Sequence, residues 1–181
     1  MNEEDHFHFV CTRDEAMTVI DHHTHYWISN CGCRESGSGC NRSRIDVCLF
    51  FDPEMGGTGS EFREVDRTFV ESILKEAEET HLVNRPFRYE DDKTRIQGIC
   101  FCCDDCCYYF VEEKSEQCGK GAFIEETDNK SCNGCGACAE VCYFGARTLG
   151  EGRLEVSRDA CYGCGLCVDV CSQECIEMVK R

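Results

Sequence analysis

The chain has 181 residues, 20 of them cysteine, and a formal net charge of −16. This length allows one ordinary domain or two small ones. So acidic a chain is unsuited to nucleic acid and to anionic membranes, because both bind basic surfaces. The N-terminus is acidic and lacks the apolar core of a secretory signal, and no apolar run is long enough for membrane insertion. We therefore expect a cytoplasmic protein whose cysteines stay reduced and bind metal.

The first predicted element is a helix that begins at a capping box. In Thr12-Arg-Asp-Glu15 the hydroxyl and the carboxylate can each satisfy a backbone donor at the helix start. Apolar residues at helical spacing predict that this helix runs to about Trp27. It carries three histidines, at His22, His23 and His25. Neutral imidazoles bind metals, but adjacent positions do not share a helix face, so a polar face is the more consistent interpretation.

Four cysteines follow in a segment rich in Ser, Gly, Arg and Asn: Cys31, Cys33, Cys40 and Cys48. Such a loop buries little apolar surface, so a metal centre is the expected agent that orders it. Three arginines lie among these cysteines, at Arg34, Arg42 and Arg44. Beside a metal centre they would offset its negative charge and raise its reduction potential. The alternative is that they form surface salt bridges.

Apolar residues at helical spacing predict the best helix of the chain over residues 60–81. Residues 82–89 and 95–101 are predicted to form a β-hairpin. Pro86 cannot donate to a strand ladder, which predicts that the first of these strands lies at a sheet edge. Outside the long helix this part has few large apolar residues, so we expect it to unfold when its metal is removed.

Five more cysteines end the hairpin: Cys100, Cys102, Cys103, Cys106 and Cys107. In a reducing compartment adjacent cysteines indicate thiolate ligands. With the four earlier cysteines they exceed the four thiolates that a four-iron cluster needs. The sequence thus predicts at least one N-terminal iron–sulfur cluster, with room for a second or for a larger, non-cubane centre; structural zinc is the alternative. The isolated Cys11 and Cys118 are interpreted as bystanders.

Residues 112–121 are polar and contain glycine, which predicts a domain boundary. It divides a cysteine-rich metal-binding domain, residues 1–118, from a second domain, residues 119–181. In the second domain we expect a strand at 123–127 paired with 176–179, and a hairpin of 148–149 with 154–156. The predicted fold class is α+β.

A motif of the form C-x2-C-x2-C-x3-C organises the second domain and recurs 29 positions later. A tight loop with cysteines three residues apart wraps three corners of a four-iron cube, and the fourth corner takes its thiolate from the other repeat. The first predicted [4Fe–4S] cluster therefore has Cys132, Cys135, Cys138 and Cys171 as ligands. The second has Cys161, Cys164, Cys167 and Cys142. Cys175 takes the place of Ala146 in the first repeat and is interpreted as packing.

On these motifs, residues 122–181 resemble the bacterial-type ferredoxins with two [4Fe–4S] clusters. The resemblance implies a pseudo-twofold dicluster fold and single-electron transfer. That family usually has Pro after the last cysteine of each motif, where this chain has Tyr143 and Ser172. The cysteine pattern of most of the chain also resembles a group of iron–sulfur proteins from anaerobes that has no established activity. An anaerobic source would suit clusters that oxygen attacks.

The predicted function is that of an iron–sulfur electron-transfer protein, or a subunit of an anaerobic oxidoreductase complex, rather than a stand-alone enzyme. The sequence has no P-loop and no glycine-rich dinucleotide fingerprint. Its acidity suits docking to a basic patch around the redox site of a partner protein. The alternative is that the N-terminal cysteines carry an unusual, non-cubane cluster with a catalytic or cluster-assembly role, or a structural zinc.

Overall fold

The computed structural model describes residues 6–37, 39–111, 118–150 and 153–181. These residues form a mixed α+β structure with one large sheet, built mainly from N-terminal strands, and two small two-stranded sheets in the C-terminal part. No helix in these ranges is long and apolar enough to cross a membrane.

The large sheet contains seven strands: β1 His8–Phe9, β2 Tyr26–Ser29, β3 Cys48–Phe50, β4 Arg63–Val65, β5 Val83–Arg88, β6 Ile96–Cys102 and β7 Cys118–Gly119. Their order across the sheet is β4-β2-β3-β6-β5-β1-β7. Neighbouring strands pair antiparallel, except that β1 pairs with β7 in parallel. Opposite residues of paired strands share a face of the sheet, so this register decides which side chains meet.

The helices of this part are α1 Arg13–Asp21, α2 Gly32–Ser36, α3 Arg67–Glu79 and α4 Tyr108–Val111. The apolar residues of α1 and α3 pack with those of the sheet into one core, whose fully buried members include Ile20, Ile28, Leu49, Ile73 and Ile99. The expectation of few apolar residues outside the long helix is therefore wrong. Single apolar residues in several short strands, each unremarkable in the sequence, add up to a core once the sheet forms.

Helix α1 begins at the predicted capping box but ends at Asp21, so the prediction that it reaches Trp27 is wrong. Residues 26–29 form β2, which pairs on both sides, with β3 and with β4. Tyr26 and Ile28, two positions apart, are both buried. The strand wins over the predicted helix because it forms backbone hydrogen bonds with a neighbour on each side. It also buries every second side chain, as a strand does.

Helix α3 is also shorter than predicted. Asp66 caps it by accepting a hydrogen bond from the Phe69 amide at 2.8 Å, so the helix begins at Arg67 rather than near residue 60. Residues 63–65 form β4 instead and pair with β2. Aspartate at this position stabilises a helix start because it accepts from an amide that has no partner inside the helix.

The hairpin of β5 and β6 is confirmed, but β5 is not an edge strand, since β1 lies on its other side. Pro86 is tolerated there because the backbone hydrogen bonds between the β1 and β5 segments are formed by residues before and after it. The Cys11 amide donates to Asn84 O at 3.1 Å, and the Arg88 amide donates to Phe7 O at 3.0 Å. The amide that proline lacks therefore falls in a gap between these bonds.

The C-terminal part contains β8 Phe123–Thr127, α5 Ala137–Glu140, β9 Arg147–Gly150, β10 Arg153–Val156, α6 Leu166–Asp169 and β11 Ile176–Lys180. Both predicted strand pairs are confirmed, as β8 with β11 and β9 with β10. Its halves match in backbone conformation: Gly136 and Gly165 have φ of +83° and +82° and precede the short helices α5 and α6. Glycine adopts this left-handed conformation without steric penalty.

The predicted boundary at 112–121 falls mostly on residues 112–117, which lie outside the described residues. Beyond them, β7 pairs with β1 in the large sheet. The two parts also meet directly, since Arg13 forms a salt bridge of 2.6 Å with Asp169 and Tyr143 donates to His81 O at 3.0 Å.

Candidate metal centres

The second motif of the C-terminal part surrounds a small cavity. Four thiols line it, those of Cys142, Cys161, Cys164 and Cys167. Three come from the second repeat and Cys142 comes from the first, as crossed ligation predicts for the second cluster. Cys161 is buried and Cys142 half-buried. Four thiols around one cavity are a donor set that fits a [4Fe–4S] cluster.

The first motif gathers its cysteines less tightly. Cys132, Cys138 and Cys171 belong to one apolar cluster, while Cys135 is exposed on the loop between the first two. Cys175 joins the same cluster, with its sulfur 3.5 Å from Cys171 Sγ. Its side chain fills the position that Ala146 occupies in the other repeat. Three of the four predicted ligands of the first cluster therefore lie together beside Ile176, the first residue of β11, and Cys135 is not part of this apolar cluster.

Six of the nine N-terminal cysteines form a closed ring, here called the six-thiol ring. All six residues border one cavity, and each thiol shifts the pKa of the next in the order Cys31, Cys48, Cys100, Cys102, Cys107, Cys33 and back to Cys31. The sheet register explains the positions of three of these six cysteines. Leu49 pairs with Ile99, which puts Cys48 opposite Cys100, and Cys102 follows two residues later on the same face. Helix α2 supplies Cys31 and Cys33, and Cys107 directly precedes α4.

The acid–base properties of the ring alternate around it. Hydrogen bonds from neighbouring thiols lower the pKa of Cys33, Cys48 and Cys102. The same bonds raise the pKa of the other three, Cys31, Cys100 and Cys107, which are the donors. The thiolate form is therefore favoured at alternate positions of the ring.

The six-thiol ring borders a cavity of about 680 Å³ that is also lined by Arg85 and His8. Arg85 is 3% exposed, and its Nη1 lies 3.7 Å from Cys102 Sγ and 3.5 Å from Cys107 Sγ. Among the described residues it forms no ion pair with a carboxylate. A buried guanidinium needs an anionic partner, so the thiolates of the ring have to provide it.

His8 completes the lining of this cavity. Its Nε2 lies 4.0 Å from Cys100 Sγ. Burial lowers the pKa of His8 to about 4, and the charge of Arg85 acts in the same direction. The imidazole is therefore neutral near pH 7, the state in which it can bind a metal.

The remaining three N-terminal cysteines form a separate group, here called the triad: Cys40, Cys103 and Cys106. Cys103 Sγ lies 3.6 Å from Cys40 Sγ and 3.5 Å from Cys106 Sγ. Across the described ranges, the triad is the only set of three Cys, His, Asp or Glu residues whose ligand atoms all lie within 4.8 Å of one another. Cys102 and Cys103 are adjacent, yet they point into different sites because successive strand residues alternate in direction.

Arg34 lies between the ring and the triad. It is 2% exposed, and its Nη2 donates to Phe101 O at 3.1 Å while Nη1 donates to Ser43 Oγ at 3.1 Å. The nearby thiols of Cys40, Cys106 and Cys31 raise its pKa against the opposing effect of burial. Of the two interpretations of the loop arginines, Arg34 therefore matches the one that places a cation among thiols. Arg42 and Arg44 form partly exposed salt bridges with Asp104 and Asp46.

The three histidines near the end of α1 have other contacts, which agrees with the polar interpretation. His22 Nδ1 lies 2.6 Å from Thr18 O, and His25 Nδ1 lies 3.2 Å from Glu64. His23 stacks on Phe51 with ring centroids 3.9 Å apart.

Comparison with known families bears on the C-terminal part. Residues 131–176 match a family model described as a 4Fe–4S dicluster domain. The match supports a ferredoxin-type domain in this segment, and the segment is called the ferredoxin-type domain below. The match covers both cysteine motifs and stops short of the N-terminal sheet, so it supports iron–sulfur clusters in the ferredoxin-type domain. A search of curated proteins found no match to the chain.

The ferredoxin-type domain and the six-thiol ring share an apolar cluster that contains Cys102 and Cys107 on one side and Cys164 on the other. Between them, the Arg85 guanidinium lies 4.2 Å from the centre of the Tyr109 ring. The Tyr109 ring contacts Phe144, which stacks on Tyr162, the residue that directly follows Cys161. A continuous set of contacts therefore links the ring to the second site of the ferredoxin-type domain.

Sequence reasoning missed His8, Arg85 and Tyr109. The signal for Arg85 was present: a charged residue stands in the middle of the predicted strand Val83-Asn-Arg-Pro-Phe87, where an unpaired charge is costly. His8 and Tyr109 carry no such signal, because only the sheet pairing and the junction with the ferredoxin-type domain bring them to the site.

Proposed function

We propose that this chain is an iron–sulfur electron-transfer protein, or a subunit of an anaerobic cytoplasmic redox complex. Single electrons would pass between the ferredoxin-type domain and a centre at the six-thiol ring. The ferredoxin ligands would be the two crossed sets of four cysteines given above. Iron–sulfur clusters held by such thiolates supply one-electron chemistry. The proposal depends most on the contacts that run from Cys107 through Arg85, Tyr109 and Phe144 to Tyr162.

The residues at this junction keep water out. The Phe144 ring stacks on Tyr162 at 4.3 Å and contacts Phe110 and Tyr109 at 5.2 and 6.3 Å between centroids. Charges interact more strongly in such a dry, low-dielectric region. The positive charge of Arg85 then favours the more negative, reduced state of a centre bound beside it.

A partner protein would exchange electrons at the first site. Among the described cysteines, Cys135 is the only one that is exposed, and the chain has a net charge of −16. We therefore propose a partner whose redox site is surrounded by basic residues, since complementary charge speeds association.

Redox spectroscopy on anaerobically purified chain tests the proposal. Dithionite should produce EPR signals of reduced clusters, and freeze-quench EPR should show an electron moving between the ferredoxin-type domain and the ring. Replacing Tyr109 by Leu should slow this transfer, whereas Tyr109→Phe, which keeps the ring beside Arg85, should slow it less. Absence of any reduced-cluster signal, or equal rates in the wild-type chain and Tyr109→Leu, would contradict the proposal.

A second role, structural zinc, is favoured at the triad. Two thiolates on one tetrahedral zinc, each at about 2.3 Å from the metal, lie about 3.8 Å apart. Two of the sulfur–sulfur distances in the triad are 3.5 and 3.6 Å, and all three sulfurs lie within 4.8 Å of one another. About one zinc per chain, lost in Cys103→Ser and kept in Cys102→Ser, would support this role. Iron in place of zinc at these three thiols would contradict it.

A further inference from the structure

We infer that the six-thiol ring binds one cluster larger than a cube, an eight-iron cluster that uses all six thiolates. The inference rests on the proposed function, because it names the kind of centre that the ring would contribute. It starts from the division of the nine N-terminal cysteines into a ring of six and a triad, which differ in geometry.

The count of thiols excludes the simplest alternatives. A four-iron cube takes four thiolates, so a cube in the ring would leave two ring thiols without metal. Two separate cubes need four thiolates each, and the ring has too few for both. Of the triad only Cys106 also borders the cavity, and the ring with Cys106 added still falls one thiolate short of two cubes.

Nothing in the arrangement marks four of the six thiols as a set and two as spare. All six thiols border the same cavity, and each has one ring thiol before it and one after it, so the ring closes on itself. All three segments that supply them also line the same cavity of about 680 Å³.

Six thiolates are the number that two fused cubes require. When two four-iron halves share one sulfide, two thiolates can each bridge an iron of one half to an iron of the other. Four thiolates then bind the remaining irons singly. With eight ferrous ions and seven sulfides, the charges sum to roughly −4. Loading therefore needs no oxidant: ferrous iron and sulfide enter, and the six cysteines release their thiol protons.

The surroundings of the ring suit so negative a group. Arg85 has no carboxylate partner among the described residues, and its Nε has no hydrogen-bond partner. Arg34 approaches the ring at Cys31. Two buried guanidinium groups thus face the ring, and only an anionic occupant would compensate their burial.

The test uses the full chain, reconstituted anaerobically with ferrous iron and sulfide. Native mass spectrometry and iron assays should give about 16 iron per chain, since each ferredoxin cluster holds four; a cube in the ring would give about 12. Mössbauer spectra should contain a component that differs from the ferredoxin cubes. A total of about 12 iron with cube spectra alone would overturn the inference.

Single Cys→Ser variants at the six positions supply the second measurement. If all six are ligands, every variant should change the Mössbauer component of the ring, whereas Cys11→Ser, a buried cysteine outside the ring, should not. Unchanged ferredoxin EPR signals show that each variant is folded. Two silent positions would indicate a cube. These outcomes are separate from the proposed function, which fails if the ring centre, whatever its iron count, exchanges no electron with the ferredoxin-type domain.

Discussion

Arg147 donates a hydrogen bond to Cys138 Sγ at 3.4 Å. The same guanidinium forms a salt bridge with Glu125, in which both side chains are almost fully buried, and it lies close to Cys167. Because Cys138 and Cys167 belong to different predicted ligand sets, one buried cation lies between the two sites of the ferredoxin-type domain. Its charge should stabilise the reduced state at both.

Removing this charge should therefore lower the reduction potentials of the ferredoxin-type domain. Arg147→Met alone would leave Glu125 buried without a partner, which costs about 3–5 kcal/mol, so the informative variant is Arg147→Met with Glu125→Gln. Relative to Glu125→Gln alone, the lost interaction between Arg147 and a cluster, about 1–2 kcal/mol, corresponds to a decrease on the order of 50–100 mV. Redox titration followed by EPR measures it. Glu125→Gln with Arg147 retained is the control and should shift the potentials upward.

The two cysteines Cys171 and Cys175 should behave differently although their sulfurs are 3.5 Å apart. Cys171→Ala removes a predicted ligand and should abolish one of the two ferredoxin EPR signals. Cys175→Ala recreates the alanine of the other repeat and should keep both signals, with a stability loss of about 1 kcal/mol from the lost buried sulfur. Iron assays and thermal unfolding compare them. Loss of iron in Cys175→Ala alone would mean that Cys175, not Cys171, is the ligand.

Gly163 and Gly145 both have positive φ, of +83° and +70°, but differ in the space around them. A Cβ on Gly163 would lie 2.2 Å from Phe123 O, whereas nothing lies within 4 Å of a Cβ on Gly145. Gly145→Ala should cost about 1–2 kcal/mol from backbone conformation alone. Gly163→Ala should cost more and reduce the iron content, because the cysteine loop must move away from β8. Equal unfolding free energies for the two variants would refute the steric explanation.

Metal removal should leave the large sheet largely folded. The buried core between α1, α3 and the sheet contains no predicted ligand except Cys103, so chelation removes little of its packing. We expect the far-UV circular dichroism of the full chain to persist after chelation, while the segments that carry Cys31, Cys33 and Cys40 become accessible to a protease. Collapse of the far-UV signal would instead support the sequence-based expectation that metal holds this part together.

Local patterns predicted the features that depend on a few adjacent residues. The capping box at Thr12, the hairpin of β5 and β6, and both strand pairs of the ferredoxin-type domain follow from short-range chemistry. The ends of α1 and α3 were wrong because strands β2 and β4, which displace the predicted helices, exist only through pairing with distant segments. The same limit applies to the sites. The nine N-terminal cysteines were evident from the sequence as candidate ligands. Their division into six and three depends on the register of β3 and β6, which places Cys48 opposite Cys100, while Cys103 lies on the other face from Cys102.

Strand β7 has a consequence for the order in which the protein matures. The first strand of the chain is held between β5 and a segment that is synthesised more than a hundred residues later. Tyr162, which stacks on Phe144 beside Tyr109, emerges later still. A nascent chain therefore carries its ring thiols uncovered until the ferredoxin-type domain has emerged, so iron delivery would best follow synthesis of that domain.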